Sequence, residues 1–184
     1  EIKNNSKLLL GGDIEIDYNQ AKGNLKLVDK VKEFATVSQM VEFSTMVSTI
    51  NREKNKSSFT RVKSVESNYP LYGKVVYEPN DALEKLNKES NTILVNENIF
   101  KNLNLQINEI VKVQDQKFKI VGYVKSVPDI GGAFVFGDFA LTGKKTLDTL
   151  SLNNLGSFLN YEYKVKFNDE ISVLEGLKKV EELF

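Results

Sequence analysis

The residues of this chain best suited to chemistry are carboxylates. Asp13, Glu15 and Asp17 alternate with Ile14 and Ile16, so a strand over Asp13–Tyr18 places all three on one face, and hard cations want several carboxylate oxygens. Ligands spaced along a straight strand do not wrap an ion, because cation loops fold around it with a glycine turn. The three therefore read as a solvated acidic face, and no metal is expected. Asp129 and Asp138 flank an aromatic stretch, where burial could raise a carboxylate pKa into the range useful for acid–base work. Glycoside hydrolysis needs two carboxylates set across a sugar. Linear spacing does not establish that pair, so no catalytic residue is expected.

Other chemistries fall away on residue type and spacing. The chain has no histidine and no cysteine, which removes imidazole bases, thiolate nucleophiles, serine–histidine–aspartate triads and the usual zinc sites. Gly143-Lys144-Lys145-Thr146 departs from a phosphate-binding loop, since Asp138 occupies the position of the partner glycine and the second lysine displaces the threonine. Gly131, Gly132 and Gly137 miss the dinucleotide spacing as well. No cofactor is expected. Lysine plus arginine equals aspartate plus glutamate at 25 each, so no positive field is available for a nucleic-acid backbone.

Phe134, Phe136 and Phe139 form the remaining conspicuous group. Alternating aromatics on a strand are ordinarily core. With Gly131, Gly132 and Gly137 around them, they are also the candidates for an apolar loop that meets a partner protein or a lipid chain.

The elements that must position these residues follow from periodicity. A composition of 41% hydrophobic and 27% charged residues is that of a folding globular chain, not a disordered one. Asn24 caps a helix reaching Phe34, with Leu25, Val28 and Val31 at helical spacing. Val37 to Thr49 is a long strand, Asn51–Ser58 a turn, and Phe59–Val65 the return strand. The segment Tyr69-Pro70-Leu71-Tyr72-Gly73 opens a new substructure, because proline fixes one backbone angle and glycine releases another. Beyond it come short helices at Ala82–Glu89, Glu97–Leu103 and within Gly143–Leu150, a strand at Thr92–Val95, and a hairpin of Ile110–Val113 with Phe118–Val124. Tyr161–Phe167 alternates as a half-buried strand expected to rejoin the first sheet. Asp169 is placed to cap a last helix whose stripe is Ile171, Leu174, Leu177, Val180 and Phe184. No apolar run approaches the ~20 residues of a membrane span. Glu1 and Phe184 are read as cut ends, near Leu8–Leu10 and Val180–Phe184, where removed membrane helices would join.

Four stretches carry a resemblance. They are Leu8-Leu9-Leu10-Gly11-Gly12-Asp13; Phe43-Ser44-Thr45-Met46-Val47; Val62-Lys63-Ser64-Val65 running into Tyr69-Pro70-Leu71-Tyr72-Gly73; and Val127-Pro128-Asp129. In this order they resemble the extracytoplasmic core domain of MacB/FtsX-type ABC-transporter permeases, and most closely the YbbP-like branch associated with lysophospholipase-linked systems. The motif residues Gly11, Gly12, Asp13, Tyr69, Pro70, Gly73, Pro128 and Asp129 are structural in that family, not catalytic.

The resemblance implies an α+β fold. A porter-like β-α-β subdomain is formed from both ends of the chain, 1–66 and 157–184, with a mainly-β sabre-like subdomain, 67–156, inserted between. It implies a non-catalytic domain on the periplasmic side of the inner membrane, coupling cytoplasmic ATP hydrolysis to substrate or partner handling outside it. The implied partners are the permease's own transmembrane helices, a cytoplasmic ABC ATPase subunit, a second permease in a dimer, and a periplasmic protein or lipid; nucleic acid is not among them. The competing readings are a stand-alone lipid- or peptide-binding module and a lipid hydrolase.

Overall fold

The computed structural model describes residues 1–3, 11–19, 23–129, 137–150 and 159–184. Its framework is a sheet built from distant parts of the chain. Strands β1 (Ile2–Lys3), β2 (Ile14–Asn19), β3 (Ala35–Thr49), β4 (Ser57–Val65) and β10 (Asn160–Phe167) lie in the order β1-β2-β10-β3-β4. β10 is antiparallel to both β2 and β3, so those two strands run parallel with the last strand between them. The crossover from β2 to β3 carries α1 (Leu25–Val31), giving a split β-α-β unit closed by residues more than a hundred positions later in sequence.

Two helices cover the apolar face of this sheet. Asn24 caps α1, its Oδ1 accepting from the Lys26 and Leu27 amides at 3.1 and 3.3 Å. The helix ends at Val31, a turn short of Phe34, which stacks on Phe167 with ring centroids 6.2 Å apart. The last helix, α5 (Val173–Leu183), starts later than Asp169 would allow. Residues Asn168 to Ile171 close a turn through Ile171 N to Asn168 O at 3.1 Å, and Ser172 caps instead, accepting from Glu175 N at 3.1 Å. The shifted start rotates the stripe. Gly176 and Val180 face inward, while Leu174 is 73% exposed and Phe184 44%. At Gly176 an added Cβ would lie 2.5 Å from the Phe167 ring, so the bare backbone sets the distance of the helix from the sheet.

The outer half of the β3–β4 hairpin belongs to a second arrangement. β4 pairs with β9 (Phe139–Gly143), β9 with β6 (Thr92–Asn96), β6 with β8 (Gln116–Ser126), β8 with β7 (Ile110–Val113), and β7 returns to β3. These pairings close a ring of strands. Its in-register partners Val47 and Val113, Val62 and Ala140, Ile93 and Ile120, and Val111 and Phe118 are all buried, so side chains fill the interior as in any small barrel. The helix α3 (Glu97–Asn102) contributes Ile99 to the same core. Outside the ring, β5 (Val76–Glu78) pairs with β8, and α2 (Ala82–Lys88) packs Ala82 and Leu86 against Leu94 and Leu141. The remaining helix, α4 (Lys144–Thr149), follows β9. Arg52 in the β3–β4 turn ties the hairpin to the ring, donating to Leu103 O at 2.6 Å, Asn104 O at 2.8 Å and Glu109 Oε2 at 2.7 Å.

The acidic face read as solvated is not solvated. Asp13 and Glu15 are 3% and 5% exposed, because β1 and β10 flank β2 on both sides and bring lysines over its carboxylates. Likewise β10 is not half-buried, since Lys164 on its polar face is buried as fully as Tyr161 on the other. Among the described residues, no helix is long and apolar enough to cross a membrane.

Candidate functional site

The motif residues singled out in sequence converge in space. Asp13 N donates to Val165 O at 2.7 Å, and the Asp13 carboxylate accepts from Phe167 N and from the Tyr72 hydroxyl, each at 2.8 Å. The side chain thus continues the β2–β10 ladder beyond the strand. Asp129, also buried, accepts the Tyr69 hydroxyl at 2.7 Å. Gly11, with φ of +74°, packs on Asp129, and an added Cβ there would stand 3.1 Å from the aspartate Cβ. At Gly12 a Cβ would meet Val165 O at 2.9 Å. The short segment 69–73, with Pro70 half-buried and Gly73 exposed at its end, therefore sends one tyrosine to each aspartate. Pro128, half-buried, leads the chain into Asp129.

This pair of phenol–carboxylate contacts latches the segment 69–73 to Asp13 and Asp129. Burial, with the Asp129 charge and hydrogen bond behind it, holds the Tyr69 phenol far above its ordinary pKa; burial and the bond to Asp13 push Tyr72 up to about 12. Both phenols keep their protons and donate.

Next to the latch, a chain of charges crosses the same face of the sheet. Lys3 meets Asp17 at 2.8 Å, Lys164 meets Glu15 directly and Glu162 at 3.5 Å, Lys63 meets Glu162 at 3.4 Å, and Arg61 meets Glu42 at 2.9 Å. Burial pushes Glu15 up to about 7 against the attraction of Lys164, and burial raises Glu42 as well. Burial also acts to raise Glu162, but Lys63 and Lys164 together hold it below the ordinary range. Burial acts to lower Lys63, and the carboxylates of Glu162, Asp129, Glu42 and Glu15 outweigh it, so the ammonium is retained. Glu15, Asp17 and Glu162 bring oxygens within 4.8 Å of one another, a spacing a cation could use. The ammonium groups of Lys3 and Lys164 already supply the positive charge there.

The other sequence candidates resolve into structural roles. Asp138 accepts from Ser58 Oγ at 2.6 Å and Asn98 Nδ2 at 2.9 Å, stapling β4 to α3. Thr146 is buried and accepts the Asn91 amide at 2.9 Å, so the Gly143–Thr146 turn cradles backbone instead of phosphate. Phe139 is buried in β9 and shares a core cluster with Met40, Val65 and Leu141. Phe134 and Phe136 lie outside the described residues.

Sequence reasoning missed one further feature. Between α1 and α4 the apolar face of the sheet opens into a cleft of about 490 Å³, floored by Val37, Gln39, Tyr161 and Tyr163 and lined also by Glu66. Gln39 Nε2 donates to the Tyr163 hydroxyl at 3.1 Å, and Gln39 N donates to Glu66 Oε1 at 2.9 Å. No local motif signals this cleft, because its parts come from four separated stretches of chain.

No protein-family model matches the chain, and no curated protein matches it in sequence. Solved structures do. The periplasmic region of MacB from Actinobacillus actinomycetemcomitans superimposes with a TM-score of 0.61 at 13% identity, covering 97% of this chain and 85% of that one. A domain from Porphyromonas gingivalis described as that of a permease protein gives 0.58 at 12% identity, covering 91% and 79%. The extracellular domain of YknZ, a noncanonic ABC-type transporter from Gram-positive bacteria, gives 0.54 at 12%, covering 89% and 78%. The chain has the α+β fold of the extracytoplasmic domains of ABC-transporter permeases, as the resemblance in its motifs implies.

Proposed function

We propose that the chain is the extracytoplasmic domain of an FtsX/MacB-type ABC-transporter permease, of the YbbP-like branch, and that it transmits force without catalysing a reaction. The observation that carries this reading is the return of β10 between β2 and β3, which welds both ends of the chain into one split β-α-β unit. In this reading 1–66 and 157–184 form the porter-like subdomain and 67–156 the inserted sabre-like one. A pull applied beside β2 or along α5 would reach the ring of strands through the shared β3–β4 hairpin, since β3 pairs with β10 at one end and β7 at the other. In this reading the buried charges and the phenol latch stiffen that path.

The permease's membrane helices, a cytoplasmic ATPase and a dimeric permease are the partners this reading requires, and it places the domain on the periplasmic side of the inner membrane. Because the chain has no cysteine, Lys54→Cys in the exposed β3–β4 turn gives this domain a single reporter thiol, and any cysteine elsewhere in the parent protein is replaced by serine. In the parent protein in intact cells it should react with a membrane-impermeant maleimide, and the parent protein should co-purify with an ATPase. Labelling only after the inner membrane is broken, or purification without any ATPase, would overturn the reading.

A further inference from the structure

We propose that the cleft between α1 and α4 binds a lysine or arginine side chain presented by an extended peptide of a partner protein. This inference stands on the cleft alone and does not depend on the permease reading. Tyr161 and Tyr163 line the cleft with 5% and 2% of their surfaces exposed, so they offer it their edges and polar atoms, not open ring faces. Glu66 adds a carboxylate that accepts one backbone amide, from Gln39, and has no ion-pair partner among the described residues. Tyr161 is 5% exposed and lines the cleft, yet its hydroxyl makes no hydrogen bond with any described residue.

These groups define the occupant's chemistry. A guanidinium or ammonium can pair with Glu66 or donate to the Tyr161 oxygen, and its methylene stem matches the apolar lining residues Val28, Val37 and Leu147. An acyl chain would leave Glu66 and Tyr161 unmatched, and a carboxylate ligand would face Glu66 as a like charge. The lining also holds Lys32, paired to Asp29 at 3.5 Å, and Lys144 and Asp148 of α4, so its described acidic residues outnumber its basic ones by three to two. A volume of about 490 Å³ exceeds one side chain, so neighbouring peptide residues enter with it.

The test is an amide NMR titration of the 184-residue chain with acetyl-Leu-Arg-Leu-amide and with the same peptide carrying uncharged citrulline. The arginine peptide should give saturable shifts at Val37, Gln39, Tyr161 and Tyr163 with a Kd of roughly 0.1–1 mM. Citrulline should bind about tenfold more weakly. Glu66→Gln, which keeps an acceptor for the Gln39 amide, should abolish the discrimination while the spectrum stays folded. Tyr161→Phe should weaken the arginine peptide about threefold. Absence of saturation at about 10 mM peptide, shifts centred elsewhere, or equal affinity of the wild-type chain for the two peptides would each overturn the proposal.

Discussion

The ammonium of Lys63 on β4 reaches the carboxylate of Glu162 on β10 at 3.4 Å, although β3 lies between their strands. The contact joins a strand early in the chain to one near its end, and it does so with both groups largely removed from water. A buried ion pair contributes little relative to a well-packed apolar pair, but breaking one partner is costly. Lys63→Met should therefore destabilise the domain by about 3–5 kcal/mol. The double variant Lys63→Met with Glu162→Leu should recover a large part of that loss. Urea unfolding of the four chains of the cycle measures the coupling; additive single and double variants would show that the contact transmits nothing.

Glu15 makes this network sensitive to pH, and the sign is opposite to that of an ordinary salt-bridged carboxylate. Its folded pKa is raised from 4.5 to about 7, chiefly by burial. Between those values the folded state holds a proton that the unfolded chain releases. The Glu15 contribution is therefore fully present below the unfolded pKa and is lost as pH rises through about 7. Glu42, raised by burial, acts in the same direction, whereas Glu162, lowered by Lys63 and Lys164 against its burial, loses its contribution as pH falls. The difference in stability between the wild-type chain and Glu15→Gln isolates the first of these. It should shift by on the order of a few kcal/mol in favour of the wild type when urea midpoints at pH 5 are compared with those at pH 8. A difference independent of pH would refute the assignment.

The two tyrosines of the latch differ in what they leave behind. Tyr69→Phe strands the Asp129 carboxylate, which is buried and has its other oxygen already without a hydrogen bond. A loss of about 2–3 kcal/mol follows from removing a bond to a buried charge. Tyr72→Phe leaves Asp13 with its bond from the Phe167 amide, and Tyr72 is only half-buried, so about 1 kcal/mol is expected. Thermal unfolding of the two variants ranks them, and equal losses would contradict the geometry.

The motif Gly11-Gly12-Asp13 and the segment Tyr69 to Gly73 were legible because each needs particular residues for backbone reasons, and they do meet in the folded chain. Seven of the ten described strands were legible from periodicity, because local patterns report local structure, while the short β1 and β5 and the strand β9 were not. The charge network was not. Alternation of Glu162, Lys164 and Lys166 with apolar residues looks the same whether the polar face meets water or a neighbour's opposite charge. Only the pairing of β10 with both β2 and β3 decides between them. The ring of strands was hidden likewise, since the return of β7 to β3 joins residues about sixty positions apart without any motif.

The orientation of α5 gives a test in which the smaller of two side-chain changes on one helix should cost the more stability. Gly176→Ala ought to stabilise an exposed helix by about 1 kcal/mol, but here the added Cβ would lie 2.5 Å from ring atoms of Phe167, which stacks on Phe34. The ring is held near its own backbone and cannot swing aside, so the helix must lift from the sheet, at a cost of about 1–3 kcal/mol. Leu174→Ala removes a far larger side chain, yet Leu174 is 73% exposed, and the change should stay within about 0.5 kcal/mol. Paired urea titrations would decide it. Had the stripe instead run through Leu174, as its spacing with Ile171 and Leu177 first indicates, the ranking of the two variants would be reversed.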